Sequence, residues 1–343
     1  RVTGATRNRA ESVGDFSAQM AANRAGAERL SRLIAHYGAL AFAQGIVELN
    51  GYAERLARDA LRDIPTGEYQ FTDYLDDDGQ GHYDIPIRLT LRVADADLLA
   101  DFSGTASQVA GNVNCPLAVA AAAVFYVFRC LMPPQTPACA GAFRPLRLHA
   151  PEGCLLNARK PAAVAAGNVE TSTRVVDVVL GALAQAIPQR IPAASHGSMN
   201  NLAMGSTDPT APWDYYETIG GGMGAGARGG GLSGVQTHMT NTLNTPVEVL
   251  ENRFPLRVVR YALRRGSGGR GARTPSHATA FSSTALRCRH GNTPPSPGSR
   301  PMPSRRGRSG SPPARNGPAR LCWPPSRKAT RGFPRRRSTS TGL

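Results

Sequence analysis

The chain has 343 residues and carries 40 Lys and Arg against 24 Asp and Glu, a formal net charge of +16. The excess lies wholly at one end: residues 1–269 hold 24 basic and 24 acidic side chains, and residues 270–343 hold 16 basic and none acidic. A neutral body of that size excludes the uniformly basic surface of a nucleic-acid-binding domain, and the roughly 270 residues are enough for a sizeable core. The tail also holds 12 of the 27 prolines. With so few large apolar residues it cannot offset its chain entropy, so 271–343 is expected to be a disordered Arg/Pro/Ser-rich tail. The longest apolar run, 116–128, is shorter than the roughly 20 residues that span a bilayer. The opening Arg1-Val2-Thr3 has no apolar signal-peptide core, so no signal peptide is expected in it, and it is expected of a chain that begins inside a longer reading frame. Six cysteines without a C-x-x-C pair fit a reduced, cytoplasmic protein.

In chain order, apolar residues three and four apart (Leu30, Leu33, Ile34 and Tyr37, then Phe42, Ile46, Leu49, Ala53, Leu56 and Leu61) predict an antiparallel helix pair over 15–64. The period then changes. Tyr83, Ile85, Ile87, Leu89, Leu91 and Val93 alternate with mostly polar residues, which predicts a half-buried strand paired with 68–74. The turn Asp76-Asp77-Asp78-Gly79-Gln80-Gly81 fails the calcium-loop signature and reads as a solvated acidic turn. Further on, 99–102 reads as a strand, 117–131 as a buried helix, 146–150 as a strand and 172–187 as a helix capped by Ser172 or Thr173. Extended pieces are expected at 196–205, 213–219, 235–242 and 255–263, around a glycine loop at 220–231. The class is α+β: a helix pair, then a mixed helix and strand region over 67–265.

The glycine loop contains a formal G-x-G-x-x-G at Gly224, Gly226 and Gly229, but it opens no helix, and no Gly-Lys-Ser/Thr follows for a phosphate loop. Glycines there fit a backbone that approaches a ligand or a neighbouring strand closely. Self-contained nucleophile signatures are absent from the sequence. What remains is a series of polar clusters: Asn168-Val169-Glu170-Thr171, His196-Gly197-Ser198-Met199-Asn200-Asn201, Tyr216-Glu217-Thr218 and Thr237-His238-Met239-Thr240-Asn241. Amides, hydroxyls and one histidine per cluster suit a polar substrate, with His196 or His238 able to move a proton near neutral pH. The same side chains can instead satisfy backbone groups in loops.

Taken in order, Asp101-Phe102-Ser103-Gly104-Thr105, Gly111-Asn112-Val113-Asn114, Phe143-Arg144-Pro145, Ala150-Pro151-Glu152-Gly153, Gly167-Asn168-Val169-Glu170-Thr171-Ser172, Ser198-Met199-Asn200-Asn201, Tyr216-Glu217-Thr218-Ile219-Gly220-Gly221-Gly222, His238-Met239-Thr240-Asn241 and Arg264-Arg265-Gly266-Ser267-Gly268-Gly269 closely resemble the hydantoinase B/5-oxoprolinase family. The resemblance covers about 1–270. It implies the B-type half of an ATP-dependent enzyme that opens cyclic amides, 5-oxoproline or hydantoins, or that carboxylates ketones in some relatives. In such enzymes an A-type subunit or fused half holds ATP and Mg²⁺. The implied site has Glu170, Glu217 and His238 as catalytic groups and Asn168, Thr171, Asn200, Asn201, Gly221, Gly222 and Asn241 at the substrate, and Glu170, Asn200, Asn201, Glu217 and His238 are expected to converge on one cleft.

The resemblance also implies two departures. Relatives carry a region upstream of Arg1 with His and Asp residues that hold a divalent metal, so the metal ligands are expected to be absent here. After Gly269 the acids vanish, which a reading-frame slip in GC-rich coding DNA near residue 273 would produce. The chain is therefore expected to be a fragment, inactive alone. A reading of another class is non-specific binding of nucleic acid through Arg305-Arg306-Gly307-Arg308 and Arg335-Arg336-Arg337. The neutrality of 1–269 argues against it.

Overall fold

The computed structural model describes residues 9–206, 208, 212–227, 229–263 and 284–290. Its elements follow the α+β order, helices first and then strands with interspersed helices.

The centre is a four-stranded sheet in the order β1-β2-β3-β4, formed by Gly67–Asp77, Tyr83–Ala94, Asp97–Asp101 and Leu146–His149. The first two pairings are antiparallel, with Phe71 opposite Leu89, and β3 pairs with β4 in parallel. Strict alternation in β2 buries Ile85, Ile87, Leu89, Leu91 and Val93 on one face. That face is covered by α4, Ser172–Ala186, whose Val175, Val176, Val178, Val179, Ala182 and Leu183 have no solvent exposure. Behind it lies α3, Leu117–Leu131, with the bounds expected of the buried helix. At about 25 cal/mol per Å² of apolar surface, this three-layer packing is the main stabilising contribution.

The N-terminal helices depart from the expected pair. Helix α1, Arg9–Tyr37, and α2, Ala39–Leu61, are separated only by Gly38, whose φ of 79° suits glycine. They are not packed side by side: α1 leaves Val13, Phe16, Met20, Leu30 and Leu33 exposed, and only the last turns of α2, at Ala53, Ala57 and Leu61, enter the core. One residue is too short a connection to fold two helices back on each other, and the stripe read as an internal seam is an outward face. No helix among the described residues is long and apolar enough to cross a membrane.

The acidic turn is also not simply solvated. The Asp78 side chain is fully buried, and its carboxylate accepts the backbone N–H groups of Gln80, His82 and Gly111. This holds its pKa at about 2: burial alone would raise it, but those three N–H donors and the His82 ring outweigh burial. A side chain on Gly111 would collide with the Asp78 carbonyl, so this turn is locked onto the 109–114 loop.

Beyond α4 lies a smaller unit. Strands β5, Asn201–Gly205, and β6, Asp214–Thr218, pair antiparallel, and α5, Val247–Arg253, leads into β7, Leu256–Leu263. Tyr215, Leu250 and Leu256 form its core. The extended pieces are shorter than expected, and 235–242 is irregular rather than a strand, with His238 in the left-handed region at φ 54°. Of the tail expected to be disordered, 284–290 is described and forms strand β8, antiparallel to β7; the rest of 271–343, both arginine clusters included, lies outside the described residues. Cys115, Cys130, Cys139 and Cys154 form no disulfide.

Candidate functional site

A single π-helical turn, Gly167–Thr171, runs directly into α4. It replaces the expected N-cap: Ser172 and Thr173 donate their hydroxyls back to the carbonyls of Asn168 and Val169 instead of capping free N–H groups. Such turns are frequent at functional sites. Here it places Glu170 at the head of one helix face, followed at spacings of four and three by Arg174 and Asp177. The loop 191–200 and the turn at His238 cover this face.

Asp177 is buried and takes two hydrogen bonds from Ser195, the backbone N–H to Oδ1 at 3.2 Å and the hydroxyl to Oδ2 at 3.0 Å. His238 Nε2 lies 3.4 Å from Asp177 Oδ1, at ion-pair distance, and it has no other polar partner among the described residues. The Tyr126 ring of α3 meets the imidazole edge-on, with centroids 5.9 Å apart. Burial is the largest influence on Asp177 and opposes its ionisation, yet the His238 and Arg174 charges and the Ser195 N–H keep its pKa below the usual range. Arg174 binds Asp73 of β1 at 2.7 Å and leaves its buried Nε unpaired. At the outer end the Ser198 hydroxyl donates to Glu170 Oε1 at 2.7 Å. Burial nevertheless pushes the Glu170 carboxyl up, with Ser198 and Arg174 opposing that rise and Asp76 adding to it.

His196 donates from Nδ1 to the Ser198 carbonyl at 3.0 Å, and burial lowers its pKa, so it is a neutral ring at pH 7 with Nε2 as acceptor. Its place depends on Gly221: a Cβ there would lie 2.1 Å from the imidazole. Gly220, Gly224 and Gly231 likewise press on backbone of neighbouring segments, and Gly222 bridges to Ser233. These close approaches fit the reading of a backbone pressed against neighbouring segments for Gly220, Gly221, Gly224 and Gly231, whereas Gly226, Gly229 and Gly230 have open space around them.

Of the expected site residues, Glu170 and His238 lie on the α4 face, and Asn200 joins them through its N–H to Ser198 Oγ at 2.8 Å. Thr171 is fully buried and donates to the Val113 carbonyl, while Asn168 and Asn241 are exposed. Glu217 and Asn201 belong to the β5–β6 hairpin. Glu217 sits two residues from Tyr215 on the same strand face, receives its hydroxyl at 2.6 Å and is turned toward the smaller core; Asn201 receives the Thr218 hydroxyl. The two groups are linked where the Asn200 carbonyl accepts the Ile219 N–H. Asp177, Arg174 and Ser195 were not read from the sequence, although a lone acid inside Val175-Val176-Asp177-Val178-Val179 signals a buried, partnered carboxylate. No group of three or more His, Cys, Asp or Glu among the described residues is placed to hold a metal ion.

Comparison with known proteins agrees with this architecture. The family model described as hydantoinase B/oxoprolinase matches residues 2–286, past the residue-270 limit of the motif resemblance. The chain is 40% identical over 283 residues to 5-oxoprolinase 1 of Arabidopsis thaliana, covering 78% of this chain and 21% of that protein. It is 35% identical over 263 residues to a Pseudomonas sp. (strain NS671) protein provisionally named as the B component of a D-/L-hydantoinase, covering 74% and 44%. Among solved structures, the ATP-dependent caprolactamase of Pseudomonas jessenii superposes with a TM-score of 0.69 at 26% identity, covering 81% of this chain and 48% of that one. The chain thus spans less than half the length of each of these relatives, and it belongs to the hydantoinase B/oxoprolinase family.

Proposed function

We propose that this chain provides the B-type half of an ATP-dependent hydrolase of cyclic amides, of the 5-oxoprolinase or hydantoinase type. The names of its relatives support that substrate class. The observation that carries the reading is the buried charged face of α4, where Glu170 and the Asp177–His238 pair stand two turns apart under a covering loop. Isolated charges are expensive to bury, and such clusters concentrate at functional sites.

The glycine loop lacks the Gly-Lys-Ser/Thr of a phosphate loop, and four of its glycines are pressed against neighbouring groups of the protein. In this proposal an A-type subunit or fused half holds ATP and Mg²⁺ and activates the ring carbonyl. This chain's residues handle protons. His238 accepts a proton from the attacking water, and Glu170, whose carboxyl retains its proton to higher pH than usual, returns one to the ring nitrogen as the C–N bond breaks. Ser198 orients Glu170, and Asn200, Asn168 and Asn241 offer amides at the accessible rim.

The test is reconstitution. The chain, an A-type hydantoinase subunit, ATP and Mg²⁺ are supplied with 5-oxoproline or hydantoin, and phosphate release is followed together with ring opening. The proposal expects coupled release only when both proteins are present. Ring opening by the chain alone, or none with the partner, would overturn it.

A further inference from the structure

Beyond proton transfer by His238, the site contains a carboxylate with no direct route to substrate. Asp177 is buried, and both its oxygens are engaged: Oδ2 by the Ser195 hydroxyl, Oδ1 by the Ser195 N–H and, at 3.4 Å, by the edge of the His238 ring that carries Nε2. That nitrogen is itself buried with no other acceptor near it among the described residues. We infer that Asp177 is a positioning residue: it fixes His238 as the Nε2–H tautomer, which leaves Nδ1 as the atom that takes and gives the proton. The inference rests on the hydrolase reading for its catalytic consequence, but not for the tautomer itself.

The reasoning is chemical. A neutral imidazole has one N–H and one lone pair, and a lone pair turned toward a carboxylate is repelled by it, so the proton resides on the nitrogen facing Asp177. His238 also holds a left-handed backbone at φ 54°, an unfavourable state for a residue with a side chain, and Tyr126 closes one side of the ring. Strain, an aromatic wall and a buried acid together restrict the ring to one orientation. The charged groups around the pair are Arg174 on the same helix, Asp73 and Asp76 on β1, Glu170 at the helix head and His196 on the covering loop. Arg174 is already tied to Asp73. Of these acids, Asp177 is the one at ion-pair distance from His238 among the described residues.

The experiment begins with the unaltered full chain, labelled with ¹⁵N-histidine. The ring shifts of His238 at pH 8 are expected to show a single Nε2–H tautomer; an Nδ1–H ring, or an averaged mixture, would overturn the inference. In Asp177→Asn the tautomer preference should weaken to an averaged mixture of Nδ1–H and Nε2–H rings, because the carboxylate facing the ring is gone. With the A-type subunit and ATP, the same variant should lower kcat at least about tenfold at unchanged KM. Should Asp177→Asn fail to fold, the wild-type tautomer still decides the matter. If Asp177→Asn mixes the tautomers while His238→Ala leaves turnover intact, the proton-transfer role of His238 fails and the pair stands. If His238→Ala abolishes turnover while Asp177→Asn changes neither tautomer nor rate, the pair fails and the hydrolase reading stands.

Discussion

Gly181 of α4 lies directly against the ring of Phe71 on β1, so closely that a Cβ at Gly181 would come within 2.6 Å of the ring carbons Cδ1 and Cε1. This approach seats α4, and with it Arg174 and Asp177, on the sheet.

Replacing Gly181 by Ala would ordinarily stabilise a helix by up to about 1 kcal/mol. Here the overlap with Phe71 outweighs that gain, since forcing extra volume into a packed site costs about 1–3 kcal/mol. Gly181→Ala is expected to lower the urea midpoint, and adding Phe71→Leu to it should recover part of the loss. A midpoint that rises in the single variant would show that the contact is loose.

The Asp78 lock should appear as a pH dependence. Its carboxyl has a pKa of about 2 in the folded chain against an ordinary 3.8. A lowered folded-state pKa stabilises above the unfolded value and loses that contribution as pH falls toward the folded one. Asp78→Ala should thus melt well below wild type at pH 7, and the difference should shrink between about pH 4 and pH 2. Melting curves across that range check it, and a pH-independent difference would contradict the assignment.

Glu170 should behave in the opposite sense. Its pKa is raised by burial, so the ionised form destabilises the fold at neutral pH, and that penalty disappears below the ordinary carboxylate range. Glu170→Gln keeps an acceptor for the Ser198 hydroxyl. It is expected to be more stable than wild type at pH 7, with the advantage fading as pH falls toward about 4.5 and absent below it, and to lose turnover in the reconstituted system. Lower stability at pH 7 would mean that the charge is well compensated.

Gly221→Ala tests how the glycine loop supports the site. The new methyl would occupy the place of the His196 imidazole, so the ring must leave its bond to the Ser198 carbonyl. A destabilisation of about 1–3 kcal/mol is expected, together with a His196 titration midpoint that moves up as the ring becomes hydrated. An unchanged His196 titration would show that the loop yields instead.

Much of the fold was legible because its signals are local. The alternation of β2, the apolar block of α3 and the stripe of α4 each reflect a period imposed by the element itself. What was missed depends on partners distant in the chain. The stripe of α1 reads the same whether it is covered or exposed, Asp78 is buried only because Gly111 lies over it, and His238 leaves the strand pattern because its turn reaches α4. The site was half legible. Glu170, Asn200 and His238 stand in polar clusters, whereas Asp177 lies within an apolar helix, and the side to which Glu217 turns is fixed by Tyr215.

The central claim is that the α4 face receives a cyclic amide. Backbone and histidine NMR of the chain during titration with 5-oxoproline or hydantoin tests it most directly. The account predicts shift changes concentrated at 168–177, 195–200 and 238–241, with those of His238 and Ser198 among the largest and lost in Glu170→Ala. Changes confined to the β5–β6 hairpin or the exposed helices, with the α4 face silent at saturating ligand, would contradict it.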